Sequence, residues 1–272
     1  MRTRTLLAFA FIILFTARGF SQTDQKGIRF GMLITPQLDW ERSGNTKLYA
    51  HDGINGKFGF GLSMEFRVTD VVHFVTGIGG TFSGGGENYN MNDTIGYVVD
   101  KSQNQIKISD LNSTPSSLIN PNNHPYRLIH RDYKTTYVTI PVALKMMTKP
   151  IGALKYFGEF GGNIEILTKA HANDRVLDMR SNSTATITLT DLNIYSDCIP
   201  VKASLNVGAG TEYNLSGTTS LVISLNYYRS FTPLSKGTSQ YLFDRNTSSS
   251  GLTPLSHSIY GDGIALTIGI LF

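Results

Sequence analysis

The residues best suited to moving protons or holding metals are six histidines (His51, His73, His124, His130, His171 and His257), several carboxylates and the lone Cys198. Ser256-His257-Ser258 invites a hydrolase reading, because a serine nucleophile needs a base within hydrogen-bond reach. In extended chain, however, neighbouring side chains point to opposite faces. His257 is therefore badly placed to serve Ser256 or Ser258, and no acid partner is marked nearby. His124, His130 and Asp132 share one long loop and contain metal-binding residue types, but solvated loop polarity is the better account of them. Glu159 and Glu165 lie six residues apart, ~20 Å along a strand, too far for a paired-carboxylate site. They are expected instead to neutralise Lys155, Lys145 or Arg67. Gly77-Ile78-Gly79-Gly80 and Gly84-Gly85-Gly86 lack the Lys-Ser/Thr and helix that a phosphate-binding loop requires. A single cysteine leaves neither a disulfide framework nor a thiolate cluster. The expectation is no catalytic, cofactor-binding or metal site.

What organises the chain is alternation. In Lys57–Val68, Phe58, Phe60, Leu62, Met64, Phe66 and Val68 share one parity; Lys57, Gly59, Gly61, Ser63, Glu65 and Arg67 share the other. Such a split makes a strand with one wholly apolar face. It recurs in Ile28–Trp40, Val72–Phe82, Val138–Met146, Leu154–Ile166, Val201–Tyr213, Leu221–Phe231 and Tyr260–Phe272. Eight segments of this length match membrane-spanning β-strands, which need about 9–11 residues.

A soluble barrel carrying an apolar ligand also alternates, so the second parity matters. Here it is rich in glycine, alanine and serine, with sparse charges at Lys57, Glu65, Arg67, His73, Lys145, Lys155, Glu159, Glu165, Lys202 and Glu212. Small residues with balanced charge suit the side-chain-filled lumen of an eight-stranded barrel. The apolar parity carries charge only near strand ends, at Arg229 and Asp262. A lipid-facing charge at the bilayer midplane costs ~2–4 kcal/mol. Phe58 and Phe66, like Phe74 and Phe82, are spaced for two aromatic girdles. The connectors alternate long and short, as in barrels with short periplasmic turns and long extracellular loops. Within the long ones, Thr94–Val99 with Gln105–Ser109, and Val176–Met179 with Ala185–Thr190, are expected to form hairpins above the wall. The predicted fold is all-β: an eight-stranded antiparallel up-and-down transmembrane barrel with long extracellular loops.

Composition agrees. The chain has 272 residues, 40% hydrophobic and 16% charged, with 27 glycines. So little charge argues against disordered or coiled-coil classes. Arg2 and Arg4 precede the apolar run Leu6–Ala17, followed by Gly19-Phe20-Ser21. This is the pattern of a cleaved secretory signal, so residues 1–21 are expected to be a signal peptide and 22–272 the barrel. Removing the signal leaves 21 basic against 20 acidic residues. That +1 balance offers no concentrated basic surface for nucleic acid.

Two places carry a family resemblance. GIALTIGILF ends at Phe272, similar to the terminal strand of bacterial outer-membrane proteins that the barrel-assembly machinery reads. Tyr137-Val-Thr-Ile-Pro-Val-Ala-Leu-Lys145 resembles a strand of the PorT-like outer-membrane β-barrel domain widespread in Bacteroidota. The resemblance implies residence in the outer membrane, contact with its lipid, and a partner in an envelope or type IX-like secretion complex. It carries no catalytic motif. The expected function is non-enzymatic docking through the loops 83–137 and 167–200. The alternatives are a lipid A hydrolase or acyltransferase using His257, and a soluble periplasmic barrel carrying an apolar ligand.

Overall fold

The computed structural model describes residues 27–44, 49–51, 53–89, 95–112, 123–180, 185–244 and 252–272; the expected signal segment lies outside them. Eight strands form the wall: β1 (Ile28–Ser43), β2 (Asn55–Arg67), β3 (Val72–Ser83), β4 (His124–Met147), β5 (Leu154–Asp178), β6 (Val201–Ser216), β7 (Thr219–Ser230) and β8 (Ile259–Leu271). Every sequence-predicted segment lies on one of them. Each strand pairs antiparallel with its sequence neighbour. Pairing of β1 with β8, Gly31 opposite Leu271, closes the ring. Closure removes the exposed strand edges that invite aggregation.

The apolar parity faces outward. Phe30, Met32, Phe60, Leu62, Phe160 and Leu225 are all at least half exposed. Phe58, Phe60 and Leu62 thus lie on the outside, the reverse of a soluble barrel carrying an apolar ligand. Phe58 sits opposite Phe82, and Phe66 opposite Phe74, making the two expected aromatic levels. The latter rings lie 6.2 Å apart. Small residues on the inner parity let the wall curve tightly. A Cβ added at Gly77 would fall 2.2 Å from the Leu62 carbonyl oxygen, so the Gly77–Gly80 stretch serves close strand approach.

Short turns join β2 to β3, β4 to β5 and β6 to β7. At the opposite end β4 and β5 run on as a paired ribbon past the other strands, from Tyr126 opposite Asp178. Strand Thr186–Asn193 adds to β5, completing the hairpin expected after Asp178. Strands Gly86–Tyr89 and Ile95–Val99 add to β4. Gly84 makes the passage out of β3 at φ 144°, backbone open chiefly to glycine. The second expected hairpin is corrected in part. Ile95–Val99 is a strand, but Gln105 makes only an isolated bridge to Val99 and a helix, Ile108–Asn112, follows. Its Ile108 and Leu111 turn together into a buried cluster with Tyr97, Val98, Leu128, Val176 and Phe243, and helical spacing places both on one face. This superstructure has its own apolar core.

Candidate functional site

The lumen holds its charge in two groups, because buried ions must be paired. Near the short-turn end, Lys145 Nζ donates to Glu65 Oε1 at 2.6 Å and also to Glu212. Arg29 donates to both carboxyl oxygens of Glu212, at 2.9 and 3.0 Å, and to Glu65. His73 Nδ1 lies 3.6 Å from Glu65 Oε2. Lys145, Glu65 and Glu212 are buried. Beside them Met147, Phe157, Val222 and Leu271 form an apolar layer, with Lys145 Nζ 4.2 Å from the centre of the Phe157 ring. Toward the long-loop end, Asp39 accepts from the Tyr228 hydroxyl and from Ser83 Oγ at 2.9 Å. Lys202 pairs with Glu165 at 3.4 Å and lies over the Tyr137 ring at 4.3 Å.

Between the groups is a cavity of about 180 Å³, lined by Thr81, Thr139, Glu159, Asn206, Asn226 and Thr267 among others. Above it, Tyr133, Tyr137, Leu167, Ile194, Cys198, Leu234 and Ile259 pack together. The lumen is thus closed at the short-turn end by the ion network with its apolar neighbours, polar in the middle, and apolar toward the long loops.

The pairing differs from the sequence expectation. Glu165 joins Lys202, whereas Lys145 joins Glu65 and Glu212. Arg67 turns to Asp70 in the adjoining turn, 2.5 Å away. Glu159 stands opposite Lys145 in the β4–β5 ladder. Arg29 and Asp39 were missed, although their odd positions in β1 place them on the inner parity.

Above the wall, Arg131 Nε and Nη2 bond Asp174 Oδ1 and Oδ2 at 2.8 and 2.7 Å, deep in the superstructure. This fork-on-carboxylate geometry is the strongest ion pair available to arginine. His257 does have an acid partner: its Nε2 lies 2.6 Å from Glu87 Oε1. Glu87 Oε2 accepts from the Tyr89 hydroxyl at 3.0 Å. Burial pushes the Tyr89 hydroxyl well above its ordinary pKa, keeping it a neutral donor. Ser256 Oγ, however, donates to the Gly237 carbonyl at 2.9 Å, and Ser235 Oγ donates to the carbonyl of His257 itself. The adjoining cavity of about 30 Å³ has room for a water or two and no substrate. The pair ties Gly86–Tyr89 to the segment before β8.

His130 is hydrogen-bonded through Nδ1 to Asn88 at 2.9 Å and lies 3.1 Å from Asp132. The His124 side chain is outside the description. His171 stands apart with Asp191, 2.9 Å away. Among the described residues no three His, Cys, Asp or Glu side chains are grouped to hold a metal ion.

An up-and-down ring of eight strands, apolar outside and charge-paired inside, defines a membrane-spanning β-barrel. The chain belongs to the family described as outer membrane protein beta-barrel domain, which residues 20–236 match. Among solved structures, it is similar to Neisserial surface protein A at 8% identity, covering 90% of this chain and 96% of that one, with a TM-score of 0.37. Ail, the attachment invasion locus protein of Yersinia pestis, shares 10% identity over 91% and 100% of the two chains, TM-score 0.35. OprG of Pseudomonas aeruginosa shares 8% over 89% and 95%, TM-score 0.37. No curated protein sequence matches the chain.

Proposed function

We propose that this outer-membrane barrel is a non-enzymatic docking protein whose folded superstructure presents a rigid surface to an envelope partner. The observation that carries the reading is the second apolar core, from Tyr89 to Leu255, standing above the wall. A segment serving only to connect strands has no need of one. By the rule that short turns face the periplasm, this platform stands outside the cell. The PorT-like strand Tyr137–Lys145 supports Bacteroidota kinship and a secretion-type complex as the setting. The terminal strand ending at Phe272 supports delivery by the barrel-assembly machinery, after removal of residues 1–21.

Photo-crosslinkers placed at the exposed Thr188 and Thr190 test the docking surface in cells. One discrete envelope adduct from both positions, lost when the superstructure is unfolded by Arg131→Met, is expected. Absence of any adduct in correctly assembled protein overturns the reading. In planar bilayers, a lumen filled at one end by the Lys145 ion network and Phe157 and at the other by the Tyr137–Ile259 cluster predicts no channel steps. Steady open-channel conductance would make the protein a pore instead.

A further inference from the structure

Just beyond the apolar belt, the outer face of the β4–β5 ribbon changes character abruptly. Outward residues on β4 run Met146, Leu144 and Val142 up to Val138, then Thr136 and Lys134; on β5, Ile164 and Ile166 are followed by Thr168 and Lys169. The register shifts at this step, Tyr137 opposing Leu167 while Thr136 opposes Lys169. Thr168 is therefore the extra residue of a β-bulge. Such a bulge reverses the parity that follows and brings Lys169 outward, while Ala170 and Ala172 stay buried. Lys134 sits opposite His171, which makes Lys169 its diagonal neighbour, ~7–8 Å away.

We propose that Lys134 and Lys169 form a site on the outer wall for the phosphate of a phosphorylated lipid in the outer leaflet. The proposal rests on the membrane reading above and names where that membrane is gripped. Height argues for lipid. Thr136 and Lys134 lie two and four residues past Val138, about 5 and 10 Å along the membrane normal at the usual rise and tilt. The interfacial layer beyond the hydrocarbon is ~5–8 Å thick on each side; Lys169, opposite Thr136, stands inside it, and Lys134, just above, reaches back into it on its long flexible stem. Charge argues the same way. Among the described residues, neither lysine has a carboxylate within ion-pair distance. The nearby Asp132 and Asp191 lie instead against His130 and His171, at 3.1 and 2.9 Å. On the far side of the barrel, by contrast, Arg42 is answered by Asp262 at 3.1 Å. A phosphate bridging two lysines completes the ladder that the apolar belt begins.

The test uses the full chain refolded in detergent, with lipid binding counted by native mass spectrometry. The probes are bis-phosphorylated lipid A, the same lipid dephosphorylated, and heparin as a polyanion without acyl chains. Wild type is expected to prefer the phosphorylated lipid by about tenfold or more. Combined Lys134→Gln and Lys169→Gln should abolish that preference; combined Lys149→Gln and Lys155→Gln, at the short-turn end, should retain it. A preference that survives in the first double variant overturns the proposal. So does heparin binding as tight as lipid A and lost in the same variant, which would assign the patch to a soluble polyanion. A heat-dependent gel shift of the same preparation reports the barrel separately. Its absence removes the membrane reading, whereas its presence without lipid preference removes only the site.

Discussion

Lys145 on β4 and Glu65 on β2 meet at 2.6 Å although β3 stands between their strands in the wall. On its other side Lys145 reaches past β5 to Glu212 on β6. One ammonium therefore ties together three strands, β2, β4 and β6, spread over an arc of five.

Replacing that ammonium leaves two buried carboxylates with Arg29 as their remaining cation. Lys145→Met is expected to cost about 3–5 kcal/mol, the usual penalty for breaking a buried pair from one side. Urea unfolding in lipid vesicles measures it. Adding Glu65→Gln should recover part of the loss, because Arg29 and Glu212 then balance.

Arg131→Met should uncouple the superstructure from the wall. It leaves Asp174 charged and fully buried, again about 3–5 kcal/mol of penalty, but confined to the part above the membrane. Limited proteolysis is expected to cut within 84–123 and 179–200 in the variant, while the membrane-protected core keeps its heat-dependent gel shift. Loss of that shift would show that barrel and superstructure fold as one unit.

His257→Ala separates structure from catalysis. Without His257, Glu87 loses a buried partner, so the superstructure should weaken by ~1–3 kcal/mol. The acylation and phosphorylation pattern of lipid A should stay the same in cells carrying the variant. A changed pattern, read by mass spectrometry, would make the protein a lipid-modifying enzyme.

Burial pushes the Cys198 thiol up to about 12, with Asp197 adding to the shift. With the thiol held that far above its ordinary value, little of it is thiolate at pH 8, and the thiolate is the reactive form. Maleimide labelling of the folded protein should be correspondingly slow, then become fast in denaturant. Rapid labelling of folded protein would place Cys198 in contact with solvent.

The wall was legible because lipid outside and a narrow lumen inside impose a two-residue period that each strand carries by itself. Parity also held the means to find Arg29 and Asp39. Which charges meet was not legible, since Lys145 and Glu212 face each other only once strand stagger around the ring is set. The Glu87–His257 contact joins residues 170 positions apart with no local mark on either. The helix Ile108–Asn112 is too short for its period to stand out from alternation. The bulge at Thr168 hid the outward Lys169, because parity counted on from Ile166 assigns it to the inside.

The seam between β1 and β8 joins Phe30 and Phe272 through two backbone hydrogen bonds, at 3.1 and 2.8 Å. Contacts this distant in sequence are slow to form, and until they do both marginal strands remain open templates for foreign pairing. A polypeptide released before its final strand is synthesised lacks one side of the seam. Closure of the ring is consequently all-or-none: without β8, β1 keeps an unpaired edge and the wall stays an open sheet.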